Sequence, residues 1–551
     1  MLSEGFALIK GREILVVAFI LAGFAGIFYK PVFCYDIWLH IKTGEYIVQN
    51  NYVLPETDPF SYTTGRKPLI LNEWLSQIIF YFVHDGLGFR GLRLMRVFLE
   101  LTALAFIFWA ALQLSRRFLV ALLVLLVTAY LFRTRYMIRP ELFSILLFTF
   151  FYTSFITARN RFKPIHYAAF FLLCIFWVNL HPFMLSVGGL IAILLAGRVA
   201  QKIPCADRWF RVARPPFDPN IAFLLFLVAS LINPYGYRIY EYVFGTTPVV
   251  KQYIPEWQPI FITLQTGVYR AITGGVLAFP LVMKGLVLGI ILLFLVVIVG
   301  SYLRRVQWTL EDLLIGTLMC FLAIAAARFA WLLFVPALLI VKYGRLQAEN
   351  RRLPQGLRRV MAILLCIGVS LCGLYWLNEG CRRIPYNFAN EIQLNKYPDV
   401  AVKILKEVTL SGRLYNPPAW GGYLLYYLYP KYKVFADTRT YLHGEESVIV
   451  SMMMQYQYPG FEKLIQKYHF DVLLFKKMFG DSRPFSSSGW TLIFENRNSA
   501  MYLRKDDPNE QNLKRIAEYY KKNNIPFDLQ KGFDIKKLRK DKKLSKRLRL
   551  I

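Results

Sequence analysis

The feature that most constrains this chain is a series of apolar stretches close to the length that crosses a membrane. About 18–20 apolar residues in a helix span the ~30 Å hydrocarbon core of a bilayer. Eleven stretches approach or exceed that length, at 14–33, 93–113, 118–132, 140–158, 165–180, 182–200, 219–233, 273–302, 309–326, 329–344 and 359–377. The pattern predicts a polytopic α-helical membrane protein with about eleven transmembrane helices.

Basic residues between these stretches predict the orientation. Lys and Arg concentrate in the cytoplasmic loops of membrane proteins. With a cytoplasmic N-terminus, every expected inner loop is basic, near 116–117, 159–163, 198–214, 304–305 and 342–359. We therefore expect a multi-pass protein of the cell (inner or plasma) membrane. Its outer parts would be the loops 35–91 and 233–272 and everything after about residue 378.

The formal net charge of +31 also fits a membrane protein. Basic loops bind anionic lipid headgroups, so we expect anionic lipids and no nucleic acid as partners. Three parts follow from composition: a membrane domain at 1–377 that includes the loop 35–91, an extracytoplasmic α/β domain at 378–530, and a basic tail at 531–551. We expect the tail to be a disordered or interfacial arm on anionic lipid.

The expected α/β domain alternates short strands with helices. We place strands at 412–416, 433–437, 471–475, 490–495 and 500–504, and helices at 398–408, 420–428, 444–456 and 460–469. Such alternation predicts a partly parallel sheet. Asp437 and Arg439 follow the second strand, at the edge where such sheets place binding sites. The alternative is that this pair only holds a turn.

Ionisable residues near the membrane are the candidate site residues, because their placement there is costly. Asp36 opens the first outer loop, and His40 lies on the apolar face of the helix expected at 36–49. His181 follows the fifth stretch and either contacts substrate or packs as a hydrogen-bonded residue. The aromatic loop 233–272 is either a flexible substrate loop or an interfacial girdle.

Three arginines lie on the outer side, against the usual charge bias. Arg133, Arg135 and Arg139 precede Glu141. Guanidinium groups match phosphate oxygens, so the cluster predicts a site for anionic oxygens; contact with outer-leaflet headgroups is the alternative. Arg328, between two apolar stretches, needs an anionic partner, either Glu141 or a phosphate.

These residues suggest a reaction at the outer face. Asp36 and Glu141 could hold a divalent cation (Mg²⁺ or Mn²⁺), or serve as base and electrostatic partner. Arg135, Arg139 and Arg328 would bind a donor phosphate. Without a Walker or Rossmann fingerprint in the sequence, a donor that arrives through the lipid fits best. A polyprenyl-phosphate-linked sugar meets that requirement.

The first outer loop resembles that of the GT-C superfamily of membrane glycosyltransferases, nearest to the protein mannosyltransferase and lipid A aminoarabinose transferase branch. The similarity rests on an acid, a helix, a proline turn, a Gly-x-Pro-like segment, Trp-Leu and a glycine link, here Asp36, Gly44-Glu45, Pro55, Gly65-Arg66-Lys67-Pro68, Trp74-Leu75 and 86–91. The resemblance implies a catalytic role for Asp36 and a matching second acid in Glu141. The overall arrangement is also similar to oligosaccharyltransferase catalytic subunits, although their WWDYG motif is absent and WGGY at 420–423 is only loosely alike.

Two departures from those relatives affect the site. Many relatives have two adjacent acids where this chain has Asp36-Ile37, and a basic residue where it has Asn72-Glu73. We therefore expect Glu73 to be an extra polar ligand that binds substrate. The leading hypothesis is transfer of a sugar from a polyprenyl-phosphate donor to an unidentified protein, lipid or glycan acceptor. The alternatives are a non-catalytic GT-C-like scaffold of an envelope assembly pathway and a lipid-linked anion transporter or flippase.

Overall fold

A computed structural model describes residues 10–550 except 66, 136, 159–160, 201–214, 246–253, 261–277, 351–354 and 478–488. Arg66 of the Gly-x-Pro-like segment, parts of three expected inner loops and much of the loop 233–272 therefore lie outside the described residues. The helices before the C-terminal sheet are α1 Gly11–Phe28, α2 Asp36–Gln49, α3 Trp74–Ser115, α4 Phe118–Phe132, α5 Glu141–Thr157, α6 Pro164–Leu180, α7 Leu185–Ala200, α8 Pro219–Leu231, α9 Arg238–Phe244, α10 Ala278–Leu303, α11 Leu310–Ala325, α12 Phe334–Asn350 and α13 Gln355–Ala389.

Helices occupy most of the described part of each apolar stretch. Six described segments are long and apolar enough to cross a membrane by length and composition, namely Gly11–Phe28, Trp74–Ser115, Pro182–Ala200, Val282–Leu303, Ala327–Glu349 and Arg359–Ala389. Four further apolar helices, α4, α5, α6 and α8, have 10–17 residues. The mostly helical architecture agrees with the sequence-based fold class, whereas the count of eleven spans and the orientation stay predictions.

The chain forms two compact units. Unit 1 comprises 1–31 and 87–391, and unit 2 comprises 32–86 and 392–551. The boundary inside α3 coincides with Gly88, whose φ of 61° and ψ of −158° are not helical. A positive φ is readily adopted by glycine because it has no Cβ, so Gly88 allows a kink between the expected interfacial helix and the following apolar helix.

Unit 1 is a bundle of apolar helices. Within it α1 packs against α13, α4 against α13, and α8 against both α6 and α7. Trp331 is fully buried, and its ring lies 5.7 Å from that of Phe148 and 6.3 Å from that of Phe132. This aromatic packing surrounds short 3₁₀ helices at Arg133–Arg135 and Ala327–Leu333, which carry candidate site residues.

Unit 2 contains a four-stranded mixed sheet. Its elements are α14 Asp399–Val408, β1 Arg413–Tyr415, α15 Pro418–Leu428, α16 Thr440–Tyr456, α17 Phe461–Tyr468, β2 Phe470–Lys476, β3 Trp490–Glu495, β4 Ser499–Arg504, α18 Asp507–Lys522, α19 Ile535–Leu538 and α20 Lys542–Leu548. The strand order is β1-β2-β4-β3. β1 and β2 are parallel, and β4 is antiparallel to β2 and β3. The apolar residues 472–475 of β2 are buried, and Leu473 pairs with Tyr502 of β4.

The segment 433–437 was predicted as a strand of this sheet, and that prediction is wrong. Val434 makes only an isolated bridge to Ser61 of the first outer loop. Its neighbour Phe435 is buried in the hydrophobic core with Tyr415 and Phe470. An apolar run can be buried without sheet pairing, and periodicity alone does not separate the two cases.

The first outer loop belongs to unit 2, although the sequence placed it in the membrane domain. Helix α2 packs against α15, and the Trp38 ring lies 4.8 Å from Tyr423 and 5.2 Å from Tyr397. A Cβ at Gly44 would overlap the carbonyl oxygen of Gln77, so glycine is needed where α2 meets the start of α3. These aromatic contacts, distant in sequence, explain why the loop groups with the C-terminal residues.

The basic tail is folded over its described residues, so the expectation of a disordered arm is wrong, and an interfacial location on anionic lipid stays a prediction. Leu538, Leu548 and Leu550 are buried. The Arg549 guanidinium lies 3.0 Å from the Asp399 carboxylate, and Arg539 donates to the carbonyl of Leu550. The basic charge of the tail predicts disorder, but its leucines anchor it in the fold.

Candidate functional site

Three short turns in unit 1 bring the expected phosphate-binding arginines together. Arg135 ends the 3₁₀ helix that follows α4. Arg328 lies in the 3₁₀ helix Ala327–Leu333, whose Ala327 N–H donates to the carbonyl of Gln258 at 3.0 Å. That bond ties the turn to a third 3₁₀ helix, Pro255–Trp257. Polar backbone of this kind is tolerated at membrane depth only where protein surrounds it.

We call the resulting group the Glu141 cluster; it comprises Arg135, Arg139, Glu141, Glu256 and Arg328. Arg139 holds both oxygens of Glu256 at 2.8 and 2.9 Å. Arg135 Nη1 lies 3.0 Å from Glu256, and its Nη2 contacts Glu141. Arg328 lies 3.3 Å from Glu141 and 3.7 Å from Glu256. Glu141 was one of the two partners expected for Arg328, and the structure shows this contact.

The electrostatics of the cluster favour charged side chains. Burial raises the pKa of Glu256, but Arg139, Arg135 and Arg328 outweigh that effect and hold the pKa well below its usual range. Glu141 begins α5, where the positive end of the helix dipole favours a carboxylate. Among the described residues, three guanidinium groups face two carboxylates. One positive charge is left over, which suits a monoanionic oxygen group.

A stacked aromatic ring helps to orient the cluster. The Arg328 guanidinium carbon lies 4.1 Å from the centre of the Trp257 ring. A stacked guanidinium directs its N–H groups along its plane, and Arg328 Nη2 donates to the Glu141 carboxylate at 3.3 Å. Arg328 can therefore bind oxygen atoms while its face rests on the ring.

The residues around Glu141 suit an anion better than a divalent cation. Its carboxylate contacts two guanidinium groups, which repel a metal ion. Among the residues that the structure describes, no group of three or more His, Cys, Asp or Glu side chains could hold a metal. Metal binding by Asp36 and Glu141 stays a prediction.

The other expected residues of the first outer loop lie in unit 2. Asp36 is the first residue of α2 and is partly exposed, and the Cys34 thiol lies 3.8 Å from its carboxylate. His40 is buried, with Nδ1 3.4 Å from the Gln77 amide. Glu73 is partly exposed just before α3. Catalysis by Asp36 and substrate binding by His40 and Glu73 stay predictions.

Asp437 and Arg439 form a buried ion pair. Their side chains approach to 2.5 Å, and Arg439 also lies 2.9 Å from Asp58. His443 lies 3.3 Å from Asp437. Burial opposes ionisation of Asp437, yet Arg439 and His443 hold its pKa well below the usual range. Since no strand precedes Asp437, the expected placement at a strand end is wrong, and the geometry favours the pair that holds a turn.

His181 lies in a hydrogen-bonded group inside unit 1. Its Nδ1 is 2.9 Å from the Ser144 hydroxyl and accepts from the Phe183 N–H at 3.2 Å. The Trp177 ring N–H donates to the same hydroxyl at 2.7 Å. These contacts match the packing alternative, and substrate contact by His181 stays a prediction.

Sequence reasoning missed Glu256 and Trp257 of the Glu141 cluster. Both lie in the aromatic loop that was assigned to substrate binding or to an interfacial girdle. A signal was present, because three outer arginines need counterions and that loop carries an acid beside a tryptophan. Glu256 reaches the arginines through tertiary contacts between segments that are far apart in sequence, and no local pattern predicts such contacts.

Comparisons with known proteins identify the fold. No family model matches the chain, and no curated protein matches it in sequence. Among solved structures, the archaeal oligosaccharyltransferase AglB from Archaeoglobus fulgidus, in complex with an inhibitory peptide and a dolichol-phosphate, is similar with a TM-score of 0.53 and 9% identity, covering 85% of this chain and 69% of that one.

A second structure of the Archaeoglobus fulgidus oligosaccharyltransferase is tethered to an acceptor peptide containing the NVT sequon through a disulfide bond. Its TM-score is 0.54 and its identity 11%, with the same coverage of 85% and 69%. AglB is a glycosyltransferase of the GT-C superfamily. At these identities the similarity shows the fold, so the expected GT-C-like fold is confirmed.

Proposed function

We propose that this protein is a membrane glycosyltransferase that moves a sugar from a polyprenyl-phosphate-linked donor to an acceptor at the outer face of the membrane. The observation that carries the proposal is the Glu141 cluster, in which arginines from separate turns converge with one positive charge in excess. The fold supports it, because one structure of that fold holds a dolichol-phosphate and another an acceptor peptide.

The donor phosphate would bind to Arg135, Arg139 and Arg328. One phosphate oxygen carrying a single negative charge would neutralise the excess charge of the cluster. Arg–phosphate hydrogen bonds are charge-assisted and strong where water is excluded. Glu141 and Glu256 would act as positioning residues, since each fixes guanidinium groups at 3.7 Å or closer.

The proposed reaction divides the work between an acid and the arginines. An acceptor hydroxyl or amide attacks the anomeric carbon of the sugar, and the bond from that carbon to the phosphate oxygen breaks. The acceptor proton passes to Asp36, and the electron pair of the broken bond leaves with the lipid phosphate. The arginines stabilise that departing charge, a type of contribution that commonly dominates catalysis.

The test is donor turnover by the full-length protein in nanodiscs. We would supply undecaprenyl-phosphate-linked hexose labelled in the sugar, with a membrane extract as acceptor source, and measure labelled product and released undecaprenyl phosphate. Asp36→Asn and Arg328→Gln are each expected to lower turnover about 100-fold or more. The control is Arg198→Gln, which breaks a surface pair with Asp218 (3.0 Å) away from the cluster.

The alternatives give different outcomes in the same assay. A non-catalytic scaffold yields no product with any donor, whereas a flippase moves the labelled lipid across the bilayer without releasing phosphate. Full turnover in both Asp36→Asn and Arg328→Gln would overturn the assignment of these residues.

A further inference from the structure

Unit 1 contains a second buried ionic group, where the end of α1 meets α3, α4 and α13. We call it the Glu379 cluster. It contains four basic and two acidic side chains that the proposed reaction does not use, namely Lys30, Arg96, Glu100, Arg133, Glu379 and Arg383.

Ion pairs and hydrogen bonds of this cluster join residues on or next to four helices, α1, α3, α4 and α13. Arg133 Nη2 lies 2.8 Å from Glu379 Oε2, and Arg383 contacts the same oxygen. Arg96 lies 4.0 Å from Glu100 and donates to the carbonyl of Lys30 at 3.5 Å. A single carboxylate therefore serves two guanidinium groups.

Burial makes the charge balance matter. Arg96, Arg133 and Lys30 are only 1%, 3% and 8% exposed. Among the described residues of the cluster, four cations face two carboxylates, an excess of two positive charges. Removing charges from water costs several kcal/mol per ion unless opposite charges compensate. An added negative charge would therefore stabilise the cluster.

The pKa of Lys30 responds to the positive charges around it. Burial lowers the pKa of Lys30 well below its usual range, and the charges of Arg133, Arg383 and Arg96 lower it further, against the opposing effect of Glu379. An added anion would reverse the repulsive part of this shift. The direction of this shift agrees with the excess of cations in the contacts of the cluster.

The surroundings describe what kind of anion fits. Arg133 lies 5.4–5.8 Å from the rings of Tyr130, Tyr375 and Trp376. Trp376 packs in turn on Phe24 of α1, with the ring centres 4.7 Å apart. On both α1 and α13, large apolar side chains are exposed, including Leu15, Phe19, Leu364, Leu371 and Leu374. A charged group at the cluster and a hydrocarbon chain along these helices match one amphipathic molecule.

The cluster is most exposed at Arg383. Arg383 is 22% exposed in its side chain, and its neighbour Arg382 is exposed. An anion that reaches the cluster from that side meets Arg383 first. A substitution of Arg383 therefore tests ligand binding and disturbs the buried core least.

We propose that Lys30, Arg96, Arg133 and Arg383 form a second phosphate-binding site, distinct from the Glu141 cluster, for the phosphate group of an anionic lipid or a free phosphate. The site does not depend on the proposed reaction, because it needs only the excess of buried positive charge. Phosphate oxygens bind Arg and Lys through charge-assisted hydrogen bonds.

The experiment measures binding to the purified full-length protein in detergent. Dioleoylphosphatidylglycerol, zwitterionic dioleoylphosphatidylcholine and inorganic phosphate are titrated separately, with melting temperature and native mass spectrometry as readouts. Phosphatidylglycerol is expected to bind and raise the melting temperature, with phosphatidylcholine ineffective. Arg383→Gln should weaken binding about ten- to a hundredfold, and Arg198→Gln should not.

The inorganic phosphate arm identifies the source of the ligand. Protection by phosphatidylglycerol but not by phosphate assigns the site to a lipid headgroup, and the reverse assigns it to a soluble phosphate. Protection by neither overturns the proposal. It is also overturned if Arg135→Gln, rather than Arg383→Gln, abolishes lipid binding, since the anion would then occupy the Glu141 cluster.

A second variant separates a binding site from a structural ion network. Lys30→Met keeps the backbone carbonyl that Arg96 contacts and removes one repelling charge. For a phosphate site, it should raise the melting temperature of the lipid-free protein and weaken phosphatidylglycerol binding. A lower melting temperature with unchanged binding would show that the cluster only holds helices together.

Discussion

The two ionic clusters of unit 1 begin at the same short turn and differ in charge balance. Arg133 and Arg135 lie two residues apart in one 3₁₀ helix. Arg133 contacts Glu379, whereas Arg135 contacts Glu141 and Glu256. The Glu141 cluster has one cation in excess and the Glu379 cluster has two.

This difference teaches that a run of arginines does not define one site. A 3₁₀ helix turns by about 120° per residue, so side chains two positions apart point in different directions. Each then depends on the acids that tertiary packing supplies. The nearly balanced cluster is organised before an anion arrives, whereas the more cationic one gains most from an anion.

The largest expected effect concerns loss of an acid from each cluster. Glu379→Gln leaves three buried cations and the partly exposed Arg383 with one carboxylate, and we expect destabilisation of about 3–5 kcal/mol, the usual cost of breaking a buried pair. Glu256→Gln should cost less, because Glu256 is 20% exposed and Glu141 remains beside the arginines. Unfolding in mixed micelles measures both. Equal losses would show that charge balance does not distinguish the clusters.

The next effect concerns activity. Arg135→Gln removes a guanidinium from the Glu141 cluster, and we expect turnover of the lipid-linked donor to fall about 100-fold, or by about 2.7 kcal/mol. The loss should appear in kcat, because the departing phosphate charge develops in the transition state. The melting temperature of the same sample serves as the control for folding. Unchanged kcat would remove Arg135 from the proposed site.

Most of the helical architecture was predictable because apolar composition over a long window is a strong local signal. The stretch 118–132 matches α4 residue for residue, and the helix expected at 36–49 is α2. The strands at 471–475 and 490–495 are present as well. The arginines, and Glu141 as a partner of Arg328, were also accessible because isolated charges near a membrane need counterions.

What the sequence did not predict depends on contacts between distant segments. The first outer loop groups with the C-terminal residues through aromatic packing such as Trp38 on Tyr423. Glu256 meets Arg139 from 117 positions away. Lys30 and Glu379 come together only because α1 packs on α13. No local pattern records these pairings.

A smaller effect tests how the Glu141 cluster holds its orientation. Trp257→Leu removes the ring on which Arg328 stacks at 4.1 Å and leaves the charges in place. Cation–π contacts contribute about 0.5–2 kcal/mol, so we expect KM for the lipid-linked donor to rise about three- to tenfold with a smaller change in kcat. Steady-state kinetics would show it. A loss confined to kcat would instead place Trp257 at the reacting sugar.

The smallest expected effect is on the pH dependence of the melting temperature. Lys30 should affect it at alkaline pH and Glu256 at acidic pH. The pKa of Lys30 is lowered in the folded protein, mainly by burial, whereas an unfolded lysine keeps its proton to about pH 10.4. In that alkaline window the unfolded state binds more protons, so stability rises with pH. As the pH approaches 10, the melting temperature of wild type should therefore rise relative to that of Lys30→Met. Bound phosphatidylglycerol should make this rise smaller.

Glu256 gives the opposite sign because arginines lower its pKa in the folded state against the effect of burial. Its contribution to stability is complete above the unfolded pKa of about 4.3 and is lost as the pH falls below it. Wild type and Glu256→Gln should thus converge in melting temperature under acidic conditions and stay apart at pH 7–10. The melting temperatures of Lys30→Met and Glu256→Gln could instead depart from wild type in the same pH range. The two clusters would then share one electrostatic environment, and the proposed difference in their charge balance would be wrong.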